Sequence, residues 1–216
     1  MKGILGIKRG MTQIFGDKGI VIPVTVVEAG PCFVVQVKTV AVDGYDSVVV
    51  GFMDKRKGLV NKPDGGQFKK ANVTPKRYVK EFRVQPGHEI KVGDEFKCDV
   101  FSVGDVVDVS AKTKGRGFTG VIKRWNQARV GPMSHGTGPI HRSAGSMGAN
   151  SCPSRVFPGK HNAGQYGHEN VTIQNLEVVG VDTAKNVLLI KGGIPGPEGV
   201  LVVVKPAVKK SKKEAN

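Results

Sequence analysis

Apolar residues in this chain come in short, valine-rich runs. Residues 21–27, 33–40 and 47–53 each read as a strand, bounded by Gly, Pro or Asp. Residues 96–109 hold two more, split at Gly104-Asp105. Residues 171–181, 186–191 and 199–205 supply the rest, with Pro195-Gly196-Pro197 punctuating the last pair. Short strands at this spacing predict a mainly β chain closed into a small barrel.

Two segments break the pattern. Residues 55–84 are Lys-rich and carry Asp64-Gly65-Gly66, and their second half, 75–82, reads as a short helix. This predicts a small basic α/β excursion from the barrel. Residues 118–128 form a second helix candidate, and beyond it 129–168 shows neither period 2 nor period 3.6. A structureless stretch of that length in an ordered chain is functional or disordered. Strands resume after it, so it is an insertion. The expected organisation is a body of residues 1–111 and 169–206, an inserted helix plus extended loop over 112–168, and a disordered basic tail over 207–216.

Charge sharpens the picture. Of 216 residues, 1–108 hold 17 basic and 13 acidic side chains, 109–168 hold nine and none, and 169–216 hold seven and five. A water-facing surface mixes both signs, because unbalanced like charges repel. An acid-free stretch with little to bury needs an external counter-charge, and a nucleic-acid backbone is the densest one. A membrane is the weaker reading. No apolar run approaches the ~20 residues of a span, and Lys8, Arg9 and Gly10 interrupt the apolar opening, which therefore lacks signal-peptide architecture.

The candidate RNA contacts lie in this arm. Lys112, Lys114, Arg116, Lys123, Arg124, Arg129, Arg142, Arg155 and Lys160 can each reach a phosphate; Trp125, His135, His141 and His161 can stack on exposed bases or sugars. Small residues around Gly131-Pro132, Gly138-Pro139, Gly145, Gly148 and Cys152-Pro153 let backbone approach a partner closely. Trp125 has two compatible readings: it anchors the helix to the barrel, or it packs at the RNA boundary.

Other chemistries fit less well. Residues 115–120, GRGFTG, match the dinucleotide fingerprint G-x-G-x-x-G, but no acid follows until Glu169, so the ribose partner is missing. The histidines lack Cys or carboxylate companions at ligand spacing, so neither metal nor cofactor is expected. Ser134, Ser146, Ser151 and Cys152 have no acid nearby in sequence to orient a base. Cys32, Cys98 and Cys152 form no C-x-x-C pair. Cys32 and Cys98, in apolar segments, read as small core residues of a protein from a reducing cytoplasm.

Long irregular motifs then carry a resemblance. GRGFTGVIKRWNQARVGPMSHGTGPIHRSAGSMG, RVFPGKHNAGQYGHENVTIQNLEVVGVD and NVLLIKGGIPGPEG occur in that order, after the opening GILGIKRGMTQIF. The chain resembles the bacterial large-subunit ribosomal protein three family over nearly its whole length. The resemblance implies a translation-factor-like β-barrel with a long loop threading ribosomal RNA (rRNA). It implies a non-catalytic primary binder near the 3′ end of the large rRNA that nucleates subunit assembly. Its loop would reach toward the peptidyl transferase centre, with its tip near 145–153. It also implies neighbours among the large-subunit proteins, notably numbers fourteen and nineteen. By motif position it adds Asn126, Ser134, Gly145, Ser146, Gly148, Asn150 and Gln165 to the RNA-contacting set.

The chain departs from the family at three places. Ala149 stands where some members carry a methylated glutamine, so that modification is expected to be absent. Gln127 replaces an aromatic, and Pro158 a basic residue. Two other readings stand beside this one: an RNA-modifying enzyme or assembly factor acting on rRNA, and a nonspecific nucleic-acid-compacting protein.

Overall fold

A computed structural model describes residues 2–16, 19–84, 89–129, 131, 134–136 and 138–209. The strands are β1 (Ile4–Phe15), β2 (Val21–Ala29), β3 (Cys32–Lys38), β4 (Ser47–Asp54), β5 (Lys76–Arg83), β6 (Glu95–Phe96), β7 (Val106–Lys112), β8 (Gly117–Thr119), β9 (Gly164–Tyr166), β10 (Asn170–Asp182), β11 (Val187–Lys191) and β12 (Leu201–Pro206). The helices are α1 (Val40–Asp43), α2 (Lys62–Lys70) and α3 (Val121–Trp125). The mainly β expectation holds. Six antiparallel strands close a barrel in the order β1-β12-β7-β10-β11-β2, and β5-β4-β3-β6 form a second sheet.

The chain divides into two compact units. The first joins everything up to Lys112 with everything from Asn170 on; the second is Thr113–Glu169. Lys112 and Asn170 pair across β7 and β10, so the chain leaves and re-enters the barrel at neighbouring strands.

The barrel core is aliphatic. Ile4, Leu5, Val27, Val107, Val109, Val178, Leu188, Ile190, Val202 and Val204 are buried in it, continuous with Val34, Val48, Val50 and Phe82 of the second sheet. In β4, all six residues from Ser47 to Phe52 are buried. Period 2 is lost there because both faces are covered. Val48 and Val50 face the main core, while Val49 joins Val35, Phe68 and Ala71 in a smaller cluster. Phe68 is the buried residue of α2, and its burial stabilises that packing by about 1.5–3 kcal/mol.

Several expectations need correction. The helix expected over 75–82 is strand β5. Lys76, Tyr78 and Phe82 sit at period-2 positions, and β5 pairs with β4 from Ser47↔Arg83 to Asp54↔Lys76. The buried Lys76 ammonium lies 2.8 Å from the Asp54 carboxylate and 4.1 Å from the Phe33 ring centroid. The helix of this excursion is α2, which tolerates Gly65-Gly66 because Pro63 preorganises its first turn. Of the two strands expected in 96–109, the first shrinks to β6. A 3-10 turn follows at Cys98–Val100, and the Asp105 carboxylate then accepts from the Ser102 amide at 2.9 Å.

The opening segment is strand β1. Lys8 does not interrupt it, because its ammonium donates to the Ile194 and Gly196 carbonyls at 2.7 and 3.0 Å. The register shift between Lys8 and Gly10 absorbs the irregularity. A second bulge in β10, near Asn175, is satisfied by the buried Asp108 carboxylate. That group accepts from Asn175 N at 2.9 Å and from Val208 N at 3.2 Å. Ala207 N also donates to Val106 O. The first two residues of the expected tail are thus tied down; 210–216 lie outside the described residues. Cys32 and Cys98 are buried as expected, Cys98 in a turn rather than a strand, and Cys152 is exposed.

Candidate nucleic-acid interface

The second unit begins as a two-stranded stem. Thr113 N donates to Glu169 O and Arg116 N to Tyr166 O, both at 2.9 Å; β8 then pairs with β9 from Gly117↔Tyr166 to Thr119↔Gly164. The Thr119 hydroxyl turns inward onto the Arg116 and Gly117 carbonyls. Gly167, at φ 75°, closes against the outgoing limb so tightly that an added Cβ would meet the Lys114 carbonyl oxygen at 2.1 Å.

The helix expected over 118–128 is only α3. Phe118 belongs to β8, and Asn126 ends the helix in the left-handed conformation at φ 56°. The stem also runs through the G-x-G-x-x-G motif, so the strand–turn–helix geometry of a dinucleotide fingerprint is not formed there.

One returning carbonyl organises the junction above the stem. Asn162 O accepts from Trp125 Nε1 at 2.9 Å and from Arg124 Nη1 at 3.0 Å. The Trp125 ring stacks on His161, centroids 4.2 Å apart and planes 3° from parallel, and the Arg124 guanidinium carbon lies 4.9 Å from the Trp125 ring centroid. Gly164 makes room for that guanidinium, since a Cβ there would lie 2.6 Å from Nη1. Within the arm, Trp125 therefore fastens α3 to the returning limb. Its ring partner within the arm is His161, and the ring remains 40% exposed.

Farther out the arm is turns and bends. The Lys160 ammonium donates to Ser146 O at 2.6 Å, tying the returning limb to the 145–148 turn. Ser146 Oγ accepts from Gly148 N at 3.3 Å. Gly145 and Asn150 are exposed around it, and the Arg155 guanidinium carbon lies 5.2 Å from the Phe157 ring centroid. Ser134 and His135 are exposed, and His141 is half-buried. Gln165 is exposed in β9 opposite Phe118.

Burial and charge set this unit apart. Among its described residues only Thr119 and Val121 are buried. Six ion pairs occur among the described residues, such as Arg9–Glu28, Lys38–Glu81 and Lys191–Glu177, and none involves a residue of 113–168. Lys112, Lys114, Arg116, Lys123, Arg129 and Arg142 are exposed, and their side chains make no hydrogen bond or ion pair to a described residue. Exposed cations with no ion-pair partner among the described residues are chemically suited to bind polyanions.

Sequence reasoning passed over three participants. Asn162 acts through its main-chain carbonyl, which no residue type announces. Phe118, 82% exposed, and Phe157, 57% exposed, are aromatic surfaces available beside the cations. The GFT run, alternating as a short strand does, was the signal available for Phe118. Among the described residues no three His, Cys, Asp or Glu side chains gather as metal ligands, and no helix is long and apolar enough to cross a membrane.

The family model of ribosomal protein L3 matches residues 87–187, which take in the whole basic arm with the β7 and β10 strands that carry it. Members are ribosome-associated structural proteins that bind large-subunit rRNA and other ribosomal proteins. This match supports a ribosomal protein of the L3 family, whose members are structural proteins of the large ribosomal subunit rather than enzymes.

Proposed function

We propose that this protein is a primary binder of large-subunit rRNA near the 3′ end of that RNA, and that it nucleates cytoplasmic assembly of the subunit through residues 112–168. The observation that carries this reading is the arm's combination of uncompensated cations and almost no buried residues. Such a segment lacks the burial to offset its own ordering entropy, and gains it from phosphate contacts and counterion release. Lys114, Arg116, Lys123, Arg129, Arg142 and Arg155 neutralise phosphates. Arg124 and Lys160, already bonded to Asn162 and Ser146, hold the arm's shape as it packs into RNA. The 145–153 turn leads toward the peptidyl transferase centre, positioning RNA without taking part in the chemistry. The barrel meets neighbouring large-subunit proteins, of which numbers fourteen and nineteen are the expected two.

The test is binding of the full-length protein to protein-free large rRNA, to its isolated 3′ segment and to duplex DNA, with hydroxyl-radical footprinting. Tight binding to the 3′ segment alone, with protections extending to the peptidyl transferase region, is the expected result. Binding that requires other ribosomal proteins, or equal affinity for duplex DNA, overturns the reading.

A further inference from the structure

The first two strands run on together past the cover that β12 gives them. β12 pairs with β1 only over Ile4–Ile7. The chain just before β12 then covers Lys8, whose amide donates to Val200 O at 3.1 Å and whose carbonyl accepts from Gly199 N at 2.8 Å. From Met11 to Phe15 the only described strand that pairs with β1 is β2. The turn fixes which way the main chain points. Gly16 N donates to Ile20 O at 2.8 Å, so residues of the same parity, Thr12 and Ile14, turn their main-chain groups toward β2. Met11, Gln13 and Phe15 aim their N–H and C=O groups the opposite way, along an edge that no described strand occupies. Pro23, opposite Gln13, agrees with this parity: it has no N–H, and its carbonyl accepts from Gly192 N on the far side at 2.9 Å.

The same three residues share one face by the period of a strand. On it Phe15 is 74% and Met11 54% exposed, beside exposed Val21. Charge is the second observation. The chain carries +15, yet residues 9–28 balance, with Arg9 and Lys18 against Asp17 and Glu28. Arg9 and Glu28 pair with each other, and residues 10–16 and 19–27 hold no ionisable side chain. A polyanion gains no counterion release from such a surface. A peptide strand satisfies the outward N–H and C=O groups and covers Met11 and Phe15 at once. Edges without a partner are guarded by Lys, Pro or an inward charge, and Met11–Phe15 carries none of these.

We propose that the Met11–Phe15 edge of β1 receives an extended, apolar, uncharged segment of another large-subunit protein as an added β-strand. The edge is about 17 Å long, the length of an ordinary strand. The inference rests on the ribosomal reading above. Because L3 family members bind other ribosomal proteins, such a protein, rather than a second copy of this chain, is the occupant.

The experiment places photoreactive p-benzoylphenylalanine at position 15 of the full-length chain, assembled into large subunits. In parallel, hydrogen exchange at the Gln13 and Phe15 amides of the wild type is compared between the free protein and those subunits. The expected result is an adduct to one extended apolar segment of a subunit protein, with both amides slowed on assembly. Gln13→Pro removes an outward N–H and no bond to β2, so it should abolish the adduct while circular dichroism shows the fold retained. An adduct to rRNA, an adduct to a second copy of the chain, or assembled wild type whose two amides exchange as in the free protein overturns the proposal alone. A wild type absent from large subunits overturns the ribosomal reading and this inference with it.

Discussion

Trp125 and His161 lie face to face across the root of the arm, 36 residues apart in sequence, with ring centroids at 4.2 Å. One ring sits at the end of α3, the other on the returning limb, and Asn162 O receives the indole N–H beside them. A stack of this kind stabilises by about 0.5–1.5 kcal/mol beyond area burial, a large share where so little else is buried.

His161→Ala should uncover one indole face. Trp125 is the chain's single tryptophan, so its emission reports the site directly. Iodide should quench that emission more strongly in the variant than in the wild type. Equal quenching would mean the stack does not persist in the free protein.

Gly167→Ala should open the stem, whereas Gly159→Ala should not. Both glycines have φ near 75–80°, so each substitution carries backbone strain of about 1 kcal/mol. Only at Gly167 does the new Cβ strike main chain, the Lys114 carbonyl; at Gly159 nothing lies within 4 Å. Faster hydrogen exchange at the Arg116 amide in the first variant alone is the expected difference.

Native thiol titration at pH 8 should count one cysteine of the three. Burial pushes the Cys32 thiol up to about 12 and raises that of Cys98, while Cys152 is exposed. Cys152→Ser should abolish the fast-reacting thiol. A remaining fast thiol would show that the barrel core opens to reagent.

Acid stability should depend on Glu81. Its bond to Lys38 holds the carboxyl at about 2, below its ordinary value near 4.5. A depressed acid stabilises the fold above its unfolded pKa, and that contribution disappears as pH falls from about 4.5 to about 2. Glu81→Gln should therefore lower the neutral-pH melting temperature slightly and flatten its fall across that window. Asp54, lowered by its bond to Lys76, keeps a residual slope of the same sign. An unaltered pH profile would remove the Lys38–Glu81 pair from the stability account.

The barrel strands were legible because their valines alternate or run between clear turn residues. β1 was not, because Lys8 and Gly10 look like interruptions until the Ile194 and Gly196 carbonyls are brought 186 and 188 residues through the chain to meet the ammonium. β5 was read as a short helix, and its strand conformation comes from tertiary pairing with β4. In the arm, composition announced the cations, but not that Arg124 and Lys160 would turn back onto main-chain carbonyls. Such contacts depend on where the returning limb lies, and Trp125 and Asn162 stand 37 positions apart in sequence.

The most direct test is the salt dependence of binding to protein-free large-subunit rRNA by Lys123→Gln/Arg129→Gln/Arg142→Gln/Arg155→Gln in the full-length chain. These side chains are exposed on the arm and make no hydrogen bond or ion pair to a described residue, so their loss should spare the fold. If the arm grips phosphates, the log–log slope becomes shallower by about 3–4. A slope equal to that of the wild type would contradict the account and move the RNA contact elsewhere on the protein.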